Sequence, residues 1–332
     1  MPTNLSRRRF IGVTAAAAGL NLVPFGFPAE AKAHLVTWRG QVMGAVATLQ
    51  VHHHDRAAAE RLIERSLAEV RRLETVFSLY REDSALVTLN RNGVLIAPPT
   101  DLITLLTECR RYWELTRGAF DPTIQSLWAL YRDHFSSPHA DPDGPPASTV
   151  KAALERVGFG GVTFDANRII LPQRGMGMTL NGIAQGYLTD RVVDSLRAGG
   201  IESSLVDMGE PRAVGSHPSG EAWRVGIADP EHPERVSDTL NAVDQAVATS
   251  GSYGFRFDPE GRFNHLLDPR TGASAKLYRS ITVVLPTATA ADALSTAFSL
   301  LPPEDIERIL QRLGEGQVRL VTASGETIRL QA

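Results

Sequence analysis

Two hydrophobic periods alternate along this chain, and their order sets the expected fold. Gly44 to His52, GAVATLQVH, sets apolar side chains at alternating positions, the pattern of a half-buried strand. Asp55 follows as a helix cap, and Leu62, Ile63, Leu67, Val70, Leu73 and Phe77 then repeat at helical spacing. A second helical stretch covers about Asp101 to Arg117 and stops at Gly118. Ser136 to Ser148, SSPHADPDGPPAS, is rich in proline, glycine and aspartate and predicts a surface loop. Gly182 to Ala198 reads as a helix ended by Gly199 and Gly200. Short strands are expected at SSLVDM, AWRVGIA, AVDQAVATS and SITVVLP, and helices at Thr289 to Leu300 and Glu304 to Leu313. QVRLVTA and ETIRLQA read as a closing hairpin. Strands and helices mix without regular βαβ alternation, which predicts an α+β fold of mixed sheets and packed helices.

Length and composition agree. The 332 residues are 43% apolar, enough for a full core. No window approaches the roughly 18 consecutive apolar residues of a membrane span. The first 33 residues read differently from the rest. SRRRFIG (Ser6 to Gly12) puts paired arginines before Phe10 and Ile11, an apolar run follows, and Ala31-Lys32-Ala33 supplies an A-x-A cleavage site. Residues 1–33 are therefore expected to be a twin-arginine signal, with residues 34–332 as the exported, periplasmic domain.

Without that segment Lys plus Arg falls to 30 against 36 Asp plus Glu, a net charge of −6. A nucleic-acid partner needs a concentrated basic surface, so none is expected. Cys109 is the only cysteine, which excludes an internal disulfide and a lipid-carrying cysteine after the signal. Its helical spacing with Leu102, Leu105, Leu106, Tyr112 and Trp113 makes it a packing residue. His52, His53 and His54 suggest a metal site, but adjacent strand residues point to opposite faces, so a polar strand end is expected instead.

Three stretches carry candidate chemistry. In DALST, Asp292 and Thr296 are four apart, one helical turn, so a carboxylate and a hydroxyl share a face. That pair suits a hard cation such as Mg²⁺; an ordinary first-turn acid explains Asp292 equally well. In TLNGIAQGYLTD (Thr179 to Asp190) a glycine-bearing turn enters a helix, fit either for a phosphate or for close helix packing. In FNHLLDPRTG (Phe263 to Gly272), His265 has the ordinary pKa of a base working near neutrality. DPRTG would form a turn that presents Arg270 to an anion; a purely structural turn is the alternative.

Taken in order, these stretches resemble the ApbE family, the FAD:protein FMN transferases. The resemblance rests on VMGAVATLQV near Met43, FSLYREDSALVTLN, GAFDPT, LNGIAQGYLTD, SLVDMGE, WRVGIADP, ATSGSYGF, NHLLDPRTG and ADALSTA, and covers nearly all of residues 34–332. It implies an ApbE-like fold with two lobes around a flavin-binding cleft. It implies that FAD is held while a Ser or Thr hydroxyl of an acceptor protein attacks the FMN-side phosphorus and AMP leaves. Such a reaction needs a cation on the diphosphate and a base for the hydroxyl.

By the resemblance, His265 is the candidate base, and Asp292, Thr296, Ser295 and the carbonyl of Ala184 are candidate ligands of Mg²⁺, with Mn²⁺ as a substitute. Met43, Ser78, Tyr80, Ala119, Phe120, Asp121, Asn181, Tyr187 and Leu266 map to FAD contacts.

Two positions depart from the family pattern. Gln185 stands where many members have lysine, and Glu210 follows Gly209 where many have a second glycine. Both changes resemble the NosX-type members of nitrous-oxide respiration, which implies a membrane-anchored acceptor similar to NosR. Two rival readings are an FAD pyrophosphatase, with water in place of the acceptor, and a flavin-binding assembly factor without catalysis. Gln185 is the feature that keeps the last one open.

Overall fold

The computed structural model describes residues 34–332, so the export signal expected at residues 1–33 lies outside the described residues. The first two strands, β1 (His34–Val42) and β2 (Ala45–His53), form a hairpin. Its turn, Met43 and Gly44, has positive φ values of 49° and 85°. Such left-handed pairs match the twist of a two-residue hairpin. The helix α1 (Arg56–Phe77) then starts where Asp55 accepts the N–H of Ala58 at 3.1 Å.

The intervening chain holds α2 (Ala85–Asn92), β3 (Val94–Ile96), α3 (Thr100–Leu115), α4 (Gln125–Phe135), α5 (Ala147–Leu154), β4 (Thr163–Phe164) and β5 (Arg168–Ile170). The three strands make a small sheet in the order β3-β5-β4. Next come α6 (Ala184–Ala198), β6 (Ser204–Asp207), β7 (Pro211–Val214), β8 (Trp223–Ala228), β9 (Val236–Ala242) and β10 (Ala246–Gly251). The chain ends with β11 (Tyr278–Leu285), α7 (Ala288–Phe298), α8 (Pro303–Leu313), β12 (Gln317–Thr322) and β13 (Thr327–Gln331).

One eight-stranded sheet, β1-β2-β6-β7-β10-β11-β12-β13, is the frame, and every pairing in it is antiparallel. Antiparallel pairing with helices packed on one side is the α+β arrangement. Leu49, Val51, Ile281, Val283 and Leu320 turn to one face and join the main core with α1, α6 and α7. Alternation along each strand sends Ala213, Val247 and Val284 to the other face, where Trp223, Val225 and Ala242 of the β8–β9 hairpin cover them. A separate cluster of Leu127, Tyr131, Ala153 and Leu267 ties α4 and α5 to the segment around 255–275 and makes a smaller lobe.

Most expected elements occur within a few residues of their predicted bounds. AVDQAVATS does not form one strand: β9 ends at Ala242, and Asp244, with φ of 51°, turns the chain into β10. Val243 is exposed there, so its hydrophobicity marked no strand interior. Cys109 is fully buried in α3, where burial pushes the thiol pKa up, as a packing role requires. The three histidines do not converge: His52 meets Trp223 at 5.7 Å between ring centroids, while His53 and His54, the latter past the end of β2, lie against each other at 4.2 Å. No helix among the described residues is long and apolar enough to cross a membrane.

Candidate active site

A glycine-dependent contact between α6 and α7 builds the site. A β-carbon on Gly186 would stand 2.2 Å from the carbonyl oxygen of Ala288, so only glycine lets the start of α7 lie this close. At Gly182 a β-carbon would stand 2.9 Å from the hydroxyl oxygen of Thr296. The spacing of these glycines therefore serves helix packing. The packing brings the carboxylate of Asp292 onto the first turn of α6, where Oδ2 accepts the Gly186 N–H at 3.0 Å.

Asp190 holds the two helices in register. Its carboxylate accepts the N–H groups of Ala288 and Thr289, both at 2.9 Å, and the Thr289 hydroxyl at 2.6 Å. It also pairs with Arg212 at 2.6 Å. Asp190 thus supplies from a neighbouring helix the acceptors that the first turn of α7 lacks.

A cleft of about 950 Å³ opens at this junction, at the large end of small-molecule sites. His265, Leu266, Asp292 and Thr296 line it, with Met43, Ser78, Tyr80, Ala119, Phe120, Asp121 and Asn181. Chain segments more than 200 residues apart are thus brought to one cavity. The Met43 N–H donates to Glu74 Oε1 at 2.7 Å, which anchors the β1–β2 turn to α1. Ser78 Oγ accepts the Tyr80 N–H at 3.1 Å just past the end of α1. Asp121 braces the wall: Oδ1 accepts from Thr123 N–H at 2.8 Å, and Oδ2 accepts from Phe159 N–H at 2.9 Å and Trp113 Nε1 at 3.2 Å.

Four expected site residues do not line the cleft. The side chain of Tyr187 is in the main core, its hydroxyl donating to Asp101 Oδ1 at 3.0 Å and its ring against Phe77. Tyr187 is two residues from Gln185 on α6, which turns it to the opposite side of the helix, and here position 187 faces α1 and α3. Arg270 does not present its guanidinium to an anion there. Nε and Nη2 donate to Asp268 at 2.9 and 2.8 Å, and Nη2 also donates to the carbonyl of Leu300 at 3.2 Å. The arginine locks the turn. Ser295 Oγ donates to the Asp292 carbonyl at 3.0 Å and meets Ser250 Oγ at 2.8 Å, so it supports the site from behind. Ala184 begins α6 fully buried, while its neighbour Gln185 lines the cleft.

His265 is positioned by a short ladder in which Phe257 N–H donates to Phe263 and His265 N–H donates to Phe255, at 2.9 and 3.1 Å. Its Nδ1 lies 3.1 Å from the Phe255 carbonyl and 3.2 Å from the Phe255 nitrogen, and the tautomer that donates Nδ1–H to the carbonyl is the one that leaves the Nε2 lone pair free. Burial lowers the imidazole pKa, opposed by the bond to Phe255, so the ring is neutral at physiological pH. The carboxyls behave oppositely. Burial pushes Asp292 up, and Glu210 goes well up, by burial first and then by the charges of Asp292 and Asp207. Burial also raises Asp207, to about 6.

Several lining residues carried no legible sequence signal. Gln125, Trp128 and Arg132 come from α4, with the Arg132 guanidinium 5.6 Å from the Trp128 ring centroid. Their i, i+3, i+7 spacing was indistinguishable from an ordinary helix face. Tyr253 and Ser250, from β10 and the turn after it, belong to the ATSGSYGF stretch, which marked the resemblance without giving either a role.

The donor set suits a hard divalent cation. Asp292 uses only Oδ2 within the protein, and the Thr296 hydroxyl one turn on makes no hydrogen bond among the described residues. No group of three or more His, Cys, Asp or Glu side chains is poised for a metal among the described residues. Mg²⁺ ordinarily takes one or two carboxylates and completes its shell with waters and substrate phosphates. The cleft offers that combination.

Comparison with known proteins gives the family and the fold. Residues 43–320 match the ApbE family. The chain is 33% identical over 288 residues to an FAD:protein FMN transferase of Treponema pallidum, covering 78% of this chain and 77% of that one. It is 32% identical to the Vibrio cholerae FAD:protein FMN transferase, covering 73% of each. Among solved structures, the apo flavinyl transferase ApbE of Pseudomonas stutzeri superposes with a TM-score of 0.75 at 27% identity, covering 90% of this chain and 96% of that one. The ApbE protein of Thermotoga maritima superposes at 0.77, also at 27% identity, covering 90% and 97%.

Proposed function

This chain belongs to the ApbE family, and from that premise we propose how its cleft performs metal-assisted FMN transfer. The protein is an FAD:protein FMN transferase, which takes FAD as substrate and a second protein as acceptor. A single relationship carries the mechanism: the imidazole of His265 and the Asp292–Thr296 pair line one cavity large enough for a dinucleotide.

His265 Nε2 takes the proton of an acceptor Ser or Thr hydroxyl as its oxygen attacks the FMN-side phosphorus. The new P–O bond replaces the bond to the AMP phosphate, and AMP leaves. Phe255 holds the ring for that attack through its carbonyl. Asp292 and Thr296 would hold Mg²⁺, which when bound offsets the diphosphate charge and polarises the reacting phosphorus. The aromatic and apolar walls at Phe120, Trp128 and Leu266 suit a flavin ring and exclude water from it.

We further propose a periplasmic enzyme exported through residues 1–33, acting on a membrane-anchored redox protein of the NosR type. The paired arginines Arg7 and Arg8 and the A-x-A site support export, and the Gln185 and Glu210 departures support the subgroup. Substituting lysine at both arginines should leave the precursor in the cytoplasm; undiminished export would overturn this part.

The activity is tested by incubating the protein with FAD, Mg²⁺ and an acceptor domain and weighing the acceptor. A mass gain matching FMN is expected from wild type, none from Asp292→Ala, and slow gain with retained FAD binding from His265→Ala. Equal rates in all three would overturn the assignment of the site.

A further inference from the structure

Glu210 occupies the short turn between β6 and β7, and the cleft is built around it. Gly209, with φ of 120°, presses on Gln185 so closely that a β-carbon would stand 2.7 Å from Cδ. This contact seats the next residue, Glu210, in the cleft wall, where it is only 8% exposed. The Thr189 hydroxyl of α6 donates to the Glu210 carbonyl at 2.8 Å, which ties this turn to the helix whose Gly186 N–H donates to Asp292.

Neither carboxyl forms an ion pair among the described residues, and Arg212 is taken by Asp190. Gln185 is neutral, and the arginines that line the cleft, Arg81 and Arg132, come from other walls. Two buried carboxyls without a counter-charge either keep their protons or are joined by a cation. Asp292, itself 4% exposed, also keeps one oxygen without a hydrogen bond among the described residues. Oxygen donors from two separate elements, with a free hydroxyl at Thr296, are the chemistry of a hard divalent ion.

We propose that Glu210 is a second carboxylate donor to the divalent cation held by Asp292 and Thr296. The inference rests on the metal-assisted reading above. It makes cation binding strong before FAD arrives, because two protein carboxylates replace the charge otherwise supplied by the diphosphate.

Mn²⁺ binding to the purified chain without FAD, followed by electron paramagnetic resonance, tests this. Wild type is expected to bind, Asp292→Asn to lose binding, and Glu210→Gln to bind at least about tenfold more weakly. Glu210→Asp, which keeps the charge, is expected to retain more affinity than Glu210→Gln. Unchanged affinity in Glu210→Gln overturns the proposal, as does absence of Mn²⁺ binding by wild type. Should Glu210→Gln not fold, judged by circular dichroism, Glu210→Asp is compared with Glu210→Ala, and equal affinity in those two overturns it. Failure of FMN transfer with these affinities intact would count against the transfer reading and leave the Glu210 site standing.

Discussion

Gly254 and His265 fit together so tightly that a β-carbon at 254 would lie 3.0 Å from Cε1 of the imidazole and 3.6 Å from Nε2. The missing side chain lets the ring stay within reach of the Phe255 carbonyl. Gly254→Ala should therefore tilt the base and slow transfer by roughly 10- to 100-fold, since small displacements of a positioned group carry such penalties. FAD affinity should change little. A comparison of single-turnover transfer with equilibrium flavin binding checks this, and equal losses in both would show a general collapse of the cleft.

The pH profile should have an acid limb set by His265. Its pKa is lowered by burial, so the neutral, proton-accepting form persists on the acid side of the ordinary value of 6.5. Transfer is expected to be flat through neutrality and to fall as pH drops through a value below 6.5. The limb should vanish in the residual activity of His265→Ala. Transfer rates across a pH series in both proteins, at saturating Mg²⁺, provide the measurement.

Asp190→Ala should destabilise the fold by about 3–5 kcal/mol, the usual effect of leaving a buried partner charge alone. Arg212 would keep its buried position with no acid beside it, and α7 would lose the acceptor for two of its first N–H groups. Asp190→Asn should cost less. Chemical denaturation of the two variants tests the ranking.

Gly186→Ala should separate α6 from α7, because the added carbon meets the backbone of Ala288 and Thr289 and no flexible side chain can yield. A loss of roughly 1–3 kcal/mol is expected, with weakened Mn²⁺ binding, since the Gly186 N–H orients Asp292. Full retention of metal affinity would show that this hydrogen bond is dispensable.

His52 should make the protein acid-sensitive. Burial, helped by the charge of nearby His217, pushes its pKa down to about 4 from an ordinary 6.5. The unfolded chain therefore binds a proton that the folded protein rejects between those values, and stability falls as pH drops from about 6.5 towards 4. Its Nε2 is buried without a hydrogen bond among the described residues, so His52→Leu should raise the melting temperature more at pH 5 than at pH 8. Thermal melts at the two pH values decide it.

Sequence alone determined most of the elements and much of the candidate site, because periodicity and end signals are local. Asp55 as a helix cap, the alternation of β2, and the Asp292–Thr296 spacing are all properties of short stretches. Resemblance across the ordered motifs then supplied the family. Facing was a different matter. Tyr187 and Arg270 sit in motifs that pointed to the cleft, yet Tyr187 belongs to the core and Arg270 to its own turn. The facing of Tyr187 depends on Asp101, 86 residues away, and that of Arg270 on Asp268 in its own turn and on the Leu300 carbonyl 30 residues on, and the motifs do not encode which of these contacts wins. The same holds for Glu210, which reaches the cleft that Asp292 lines only once the β6–β7 turn is laid on Gln185.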